Sequence, residues 1–277
     1  MNPDPLTMTA TPVTAVRSGR PLWQGSGFYY VHQRGSARFL FLVTARHLLY
    51  PGHNDDSEKP DELLFQFHDS HDAIGSVRAI RAALYTRDGA PAWISRECGP
   101  ADFNVALLPI PGSLCEGVAL YCVDRSTADP AIASLEPGGA VHVVGFAQGL
   151  HEPDMPLPVW QTGHLANDPR ALPDARASYL VNVGTHPGMA GAISVIDRPS
   201  AAGENHRARR FVGMYAGAAV PGQHDVYPEH LSRHLSPTAV THECGFWGHV
   251  WRAEAIFDLA DSVDIEAWQR DVLANLP

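Results

Sequence analysis

The chain has 277 residues, of which 45% are hydrophobic, and a formal net charge of −10 at pH 7. This length allows one two-lobed domain or two small domains, with enough apolar residues for a core. An acidic chain without a Lys/Arg run lacks the electrostatic footprint of a nucleic-acid-binding protein. No stretch approaches the roughly 18 apolar residues that span a bilayer. We therefore expect neither nucleic acid nor a membrane as a partner.

The start of the chain and its cysteines predict the compartment. Residues 1–5 (Met-Asn-Pro-Asp-Pro) have neither the basic n-region nor the apolar h-region of a secretory signal. The four cysteines, Cys98, Cys115, Cys122 and Cys244, are scattered. Cys115 and Cys122 could pair, but without an export signal buried free thiols are the expected state. These features predict a cytoplasmic protein of bacterial type.

Alternating apolar residues, rich in β-branched and aromatic types, predict many short strands. Residues 1–11 are expected to be loosely attached. The predicted strands of the first half are 28–31, 39–43, 63–67, 77–84 and 105–110. Those of the second half are 141–146, 159–165, 179–183, 192–196 and 211–215. From Arg252 onward the apolar spacing predicts a C-terminal helix.

Several short motifs follow one another in a fixed order. Residues 25–28 read Gly-Ser-Gly-Phe, residues 43–47 read Val-Thr-Ala-Arg-His, and residues 188–192 read Gly-Met-Ala-Gly-Ala. Together with the apolar run 105–110, they resemble the trypsin-like (chymotrypsin-fold) serine protease family. In that family the histidine of the second motif is the general base, and the third motif carries the nucleophilic serine. The resemblance extends from about residue 12 to about residue 257.

The resemblance implies an all-β fold of two six-stranded antiparallel β-barrels with a C-terminal α-helix. It assigns residues 12–115 to an N-terminal barrel lobe, 116–135 to a linker and 136–277 to a C-terminal barrel lobe. It also implies a protein or peptide substrate and no cofactor, and it leaves room for a regulatory protein partner.

His47 is the best candidate for a catalytic residue. Peptide hydrolysis needs a group with a pKa near neutrality to move the proton of the nucleophile, and histidine provides one. The acid position has two candidates. The apolar pattern aligns Asn104 with the aspartate of the family, whereas Asp102 lies two residues earlier and would project from a strand on the same side. Asn104 cannot stabilise an imidazolium by charge, so its presence would lower activity.

Ala190 stands where the family has its nucleophilic serine, so we expect this form to be inactive. One explanation is an engineered Ser-to-Ala change in an active endopeptidase, which the intact surroundings of Ala190 favour. The other is a natural pseudoprotease that binds peptides or regulates, which the second departure at Asn104 favours. In both cases the backbone N–H groups of Gly188 and Ala190 are expected to form the oxyanion hole.

The expected substrate pocket consists of Gly184, Thr185, Tyr215 and Gly217. Gly184 lies six residues before the nucleophile position, where the trypsin branch has an acidic residue. Without a carboxylate in 180–189, the pocket is predicted to be neutral and to disfavour a basic side chain. His230 and His234 have i,i+4 spacing, but no His-Glu-x-x-His pattern occurs. A surface loop rather than a metal site is therefore predicted there.

Overall fold

The computed structural model describes residues 4–50, 59–71, 75–96, 103–129, 135–148, 157–171, 177–200, 203–218 and 246–275. Among these residues no helix is long and apolar enough to cross a membrane. Cys115 and Cys122 are free thiols and half-buried. Cys98, Cys244 and residues 219–245, which include the predicted histidine-rich surface loop, lie outside the described residues.

The first half of the chain forms a six-stranded antiparallel sheet. Its strands are β1 (Ala10–Arg17), β2 (Arg20–Arg34), β3 (Ala37–Ala45), β4 (Glu62–His68), β5 (Val77–Ala83) and β6 (Val105–Ile110), in the order β5-β4-β1-β2-β3-β6. The edge strands β5 and β6 meet through the segment between them, because Ile94 exchanges backbone hydrogen bonds of 2.8 and 2.9 Å with Leu107. The sheet thus curls around one core.

The expectation of a loosely attached N-terminus is wrong from residue 4 onward. Helix α1 (Pro5–Thr9) precedes β1, and Asp4 caps it by accepting a hydrogen bond from the Leu6 N–H at 3.0 Å. Thr7, Met8 and Thr9 are buried. Met8 is 1% exposed, and the Trp160 indole N–H donates to the Thr7 hydroxyl at 3.1 Å, so this segment is attached to the rest of the molecule.

The second half forms a closed antiparallel barrel. Its strands are β7 (Ala140–Gly145), β8 (Val159–Leu165), β9 (Ser178–Asn182), β10 (Ala192–Ser200), β11 (Gly203–Ala218) and β12 (Trp247–Arg252), in the order β10-β11-β12-β9-β8-β7. The predicted all-β class is thereby confirmed, with two six-stranded antiparallel sheets, of which the second closes into a barrel through its strand pairing and the first does not.

Two helices follow the barrel instead of one. They are α2 (Ala253–Asp261) and α3 (Ile265–Asn275). The helical path is interrupted between them. The Ser262 hydroxyl donates to the Leu259 carbonyl at 2.8 Å, and Asp264 accepts from the Ala267 N–H at 3.3 Å. A carboxylate that accepts from the N–H three residues later is a helix N-cap, so α3 starts anew.

Strand alternation divides the apolar side chains between separate cores. On β2, Tyr29 enters the core of the first sheet, whereas Phe28 and Tyr30 face the second half of the molecule. Phe28 meets Phe211 of the closed barrel with ring centroids 5.4 Å apart, and Tyr30 stacks on Phe257 of α2 at 5.7 Å. Both halves and α2 therefore share a continuous interlobe core, which fixes the cleft above it.

Candidate active site

His47 lies at the end of β3, on a single 3-10 turn, Arg46–Leu48. Thr44 and Ala45 before it are fully buried, and Leu48 after it is buried as well. The Trp23 indole N–H donates to the Leu48 carbonyl at 2.9 Å, which fixes the turn from the other side. Part of His47 is exposed to the cleft, while protein atoms surround most of the imidazole.

Asn104 is brought to His47 by the pairing of β6 with β3, in which Val105 lies opposite Ala45. Its Oδ1 accepts a hydrogen bond from the His47 backbone N–H at 3.1 Å. A backbone N–H can only donate, so this contact fixes which end of the amide is the oxygen. The His47 Nδ1 lies 3.1 Å from Oδ1 and 3.0 Å from Nδ2 of the same amide.

This geometry leaves the tautomer of His47 open to both choices. With a proton on Nδ1, the ring donates to Oδ1 of Asn104 and Nε2 keeps the lone pair that a general base needs. Without that proton, Nδ1 accepts from Nδ2 and the proton sits on Nε2. A carboxylate would accept only, and would therefore select the first tautomer. Asp102, the other candidate for this position, lies outside the described residues.

The surroundings of His47 lower its pKa from the ordinary value. The main cause is desolvation, because protein packed around the ring removes water that would solvate the imidazolium; the hydrogen bond with Asn104 opposes the shift. The neutral form is thus the resting state near pH 7. A neutral imidazole can accept a proton, as a general base must.

The loop around Ala190 has two glycines in the left-handed region, with φ +90° at Gly188 and φ +92° at Gly191. A Cβ on Gly191 would lie 1.9 Å from the Ser26 carbonyl oxygen, and one on Gly188 would lie 2.4 Å from the Phe146 carbonyl oxygen. Both positions therefore require glycine for conformation and for space.

Ser26 of β2 holds this loop in place. Its backbone N–H donates to the Ala190 carbonyl at 2.8 Å, and its Oγ donates to the Gly188 carbonyl at 2.7 Å. The same Oγ accepts from the Phe146 N–H at 2.8 Å. On the far side, the Gly191 N–H donates to the Tyr215 carbonyl at 2.7 Å. The loop is thus clamped between β2 and β11.

The N–H groups of Gly188 and Ala190 have no recorded acceptor in the described part of the chain. Gly188 is buried and Ala190 is half-buried. Two such N–H groups beside a cleft can stabilise a negatively charged oxygen.

One cleft of about 910 Å³ collects these groups. It lies between the lobes and is lined by Pro21, Leu22, Trp23, Gln24, His47, Leu48, Gln148, Thr185, His186, Pro187, Gly188, Ala190 and Gly217. Of the predicted pocket residues, Thr185 and Gly217 line it. Gly184 is not among the lining residues, and the His186 Nε2 lies 3.5 Å from where a Cβ on Gly184 would be, which is ordinary van der Waals contact.

Tyr215 does not line the cleft, contrary to the expectation. Its side chain is 1% exposed and packs in the core of the closed barrel. The ring lies directly over Gly248, where a Cβ would come within 2.2 Å of it. The reason is alternation along β11, which directs Met214 to the interlobe core and Tyr215 to the barrel interior.

Three residues of the site had no assigned role in the sequence, namely Ser26, Trp23 and His186. Ser26 stands inside the Gly-Ser-Gly-Phe motif, which was the available signal. No sequence motif pointed to Trp23 or His186, because the contact of Trp23 with the Leu48 carbonyl and that of His186 with Gly184 form only in the folded chain.

Comparison with solved structures decides the fold. The scabies mite inactivated protease paralogue S-I1 superposes with a TM-score of 0.52 at 14% identity, covering 96% of this chain and 98% of that one. HL collagenase superposes with a TM-score of 0.52 at 10% identity, covering 93% and 94%. The chain has the chymotrypsin-type serine protease fold.

Another chymotrypsin-fold neighbour is the inactive form of Rv3671c from M. tuberculosis H37Rv, a serine-to-alanine mutant. Its TM-score is 0.49 at 11% identity, and the alignment covers 94% of this chain and 88% of that one. No protein-family model matches the sequence, and no curated protein does.

Proposed function

We propose that this chain is a serine endopeptidase of the chymotrypsin fold in a form that Ala190 inactivates. The observation that supports it best is the common cleft of His47, Ala190 and the N–H groups of Gly188 and Ala190. A peptide or protein is the proposed substrate. The cytoplasmic location remains a prediction from sequence.

The proposed chemistry requires serine at position 190. Its Oγ attacks the peptide carbonyl while Nε2 of His47 takes the hydroxyl proton, and the two N–H groups bind the oxyanion. His47 then gives the proton to the departing amine, which leaves an acyl-enzyme. Water, deprotonated by His47, attacks the ester, His47 returns the proton to the departing serine oxygen, and the acid is released. The methyl group of Ala190 has no lone pair, so a peptide can bind but cannot be acylated onto the protein.

Covalent labelling tests the proposal. The Ala190→Ser protein is treated with a fluorophosphonate probe, and the modified residue is located by mass spectrometry. We expect labelling of position 190, no labelling of the Ala190 form, and loss of labelling when His47→Ala is added. A folded Ala190→Ser protein that stays unlabelled would contradict the proposal.

Asn104 favours a second candidate, a natural pseudoprotease that binds peptides or regulates. Its Oδ1 accepts from the His47 backbone N–H, and the ring Nδ1 lies within hydrogen-bond distance of both Oδ1 and Nδ2 of the amide. The amide therefore does not select the tautomer that a general base needs. The double variant Ala190→Ser/Asn104→Asp distinguishes the two. If the parent form is a protease, the single variant Ala190→Ser is already labelled. Adding Asn104→Asp then raises the labelling rate by up to about 10⁴. If it is a pseudoprotease, only the double variant, or neither, is labelled.

A further inference from the structure

A second cavity, of about 300 Å³, lies beside helix α1. This N-terminal cavity is bounded by residues 4–9, by the segment 121–127, and by Arg209 and Phe211 of β11. None of its described lining residues lines the cleft that holds His47 and Ala190. Small-molecule sites in proteins begin at about this volume. A ligand bound there would act separately from the proposed protease site.

The walls formed by the segment 121–127 and β11 are fixed by main-chain hydrogen bonds. The Val123 N–H donates to the Tyr29 carbonyl at 2.9 Å, and the Val123 carbonyl accepts from the Val31 N–H at 2.8 Å. The Phe211 N–H donates to the Thr127 carbonyl at 2.9 Å. Val123 and Phe211 are both buried. These walls are thus formed before a ligand arrives, which lowers the cost of binding.

The wall formed by α1 is held by side-chain contacts with the second barrel. Asp4, which caps the helix, forms an ion pair with Arg209 of β11. The Trp160 indole N–H of β8 donates to the Thr7 hydroxyl at 3.1 Å, and the Arg209 guanidinium carbon lies 4.6 Å from the centroid of the Trp160 ring. The cavity therefore lies where one ligand would touch elements from both halves of the chain.

The charges at the N-terminal cavity compensate each other. Asp4 and Arg209 are the charged residues among its described lining residues, and they are paired with one another. Burial raises the pKa of the Cys122 thiol to about 12, so this lining residue is neutral near pH 7. A charged ligand would have to break the ion pair or give up its hydration without an opposite charge.

The hydroxyl groups of the lining are also largely engaged. Of the three residues that carry one, Thr9 donates to the Pro5 carbonyl at 3.0 Å and Thr127 donates to the Asp124 carbonyl at 2.8 Å; the third is Tyr121. A water molecule in a cavity needs about two to four polar partners. An apolar molecule needs none, and it gains free energy when its surface leaves water. The lining therefore favours an apolar ligand.

We propose that the N-terminal cavity binds a small uncharged apolar molecule of the size of a bicyclic aromatic compound. The ligand packs against Leu6 of α1, Val123 of the segment 121–127 and Phe211 of β11. Because it contacts elements from both halves, its binding strengthens their association. A ligand that binds the folded form alone also raises the melting temperature.

Calorimetric titration of the Ala190 protein with three compounds tests the chemistry. Indole, indole-3-acetate and tryptamine carry the same ring system with no charge, a negative charge and a positive charge. We expect indole to bind at least about tenfold more tightly than either charged compound. Absence of indole binding, or equal or tighter binding of a charged compound, would overturn the proposal.

Two variants test the location. Leu6→Trp adds a larger ring to the cavity wall and should weaken indole binding at least about tenfold. Leu114→Trp, at an exposed leucine outside the lining, should leave it unchanged. Circular dichroism confirms that both variants are folded. Unchanged affinity in a folded Leu6→Trp protein would place indole elsewhere.

The two free thiols give a second measurement that needs no variant. Cys122 lines the N-terminal cavity and Cys115 does not. Bound indole should slow the reaction of Cys122 with iodoacetamide several-fold, as followed by mass spectrometry, and leave that of Cys115 unchanged. Equal effects on both thiols would contradict binding in this cavity. Fluorophosphonate labelling of Ala190→Ser reports on the cleft, so the two proposals can fail separately.

Discussion

Single residues decide whether this site can act as a base. Desolvation lowers the pKa of His47, and the amide of Asn104 holds the ring without choosing which nitrogen bears the proton. The lowered pKa favours the neutral imidazole, which can accept a proton. The tautomer with the proton on Nε2 works against this, because Nε2 then has no lone pair to accept one. An imidazole in this state is compatible with slow catalysis once a hydroxyl stands at position 190.

The pH dependence of His47 follows from the direction of its shift. Since its pKa in the folded protein lies below the ordinary 6.5, the unfolded chain binds more protons at mildly acidic pH. The stability that His47 contributes is therefore present above about pH 6.5 and is lost as the pH falls through the folded-state pKa. NMR titration of ¹⁵N-labelled histidines should give a midpoint below 6.5.

The resonance of His47 is assigned by its absence in His47→Ala. Asn104→Ala should lower the midpoint further, because the hydrogen bond that favours the imidazolium is removed. A midpoint above 6.5 in the unmodified protein would contradict the desolvation of this ring.

At the scale of elements, β2 of the first sheet supports the loop around Ala190, which belongs to the second half of the chain. The Ser26 hydroxyl bridges the Gly188 carbonyl and the Phe146 N–H, and Ser26 is completely buried. The bridge spans 162 positions of the sequence between Ser26 and Gly188. A strand of the first sheet thereby sets the geometry of a loop in the second.

Replacing Ser26 by alanine should therefore be costly. The change leaves the Gly188 carbonyl and the Phe146 N–H without this partner, at about 1–3 kcal/mol for each buried group. Ser194→Ala is the matched control. Ser194 is equally buried, but its Oγ has no partner in the described part of the chain, so its loss should be neutral or stabilising.

Thermal unfolding by circular dichroism compares the two variants. We expect a drop of several degrees for Ser26→Ala and little change for Ser194→Ala. Equal shifts would show that the bridge does not stabilise the loop.

At the scale of the molecule, the interlobe core unites the two sheets. Phe211 of β11 is 1% exposed and meets Phe28 of β2 and Phe257 of α2, with ring centroids 5.4 and 6.2 Å apart. Neither sheet can lose this interface without exposing aromatic surface to water. The lobes are thus expected to unfold together, although the division into residues 12–115 and 136–277 remains a prediction.

Phe211→Ala tests the shared core. It should cost about 3–5 kcal/mol, because it removes a ring from a packed interface. Urea unfolding is followed by tryptophan fluorescence and by far-UV circular dichroism. The two curves should coincide before and after the change.

Phe67→Ala, in the core of the first sheet alone, is the control. Separate transitions in the unmodified protein would contradict the shared core.

The sequence by itself determined most of the strands, the class of fold and the motifs that contain His47, Asn104 and Ala190, because alternation and short motifs are local properties of the chain. It placed Tyr215 in the pocket and extended one helix through Ser262, since neither the barrel interior nor the cap at Asp264 is visible in a linear pattern. Only the tertiary structure brought Ser26 to the nucleophile loop and His186 over Gly184. Contacts of this kind depend on which strands become neighbours, and that is settled by packing of the whole molecule.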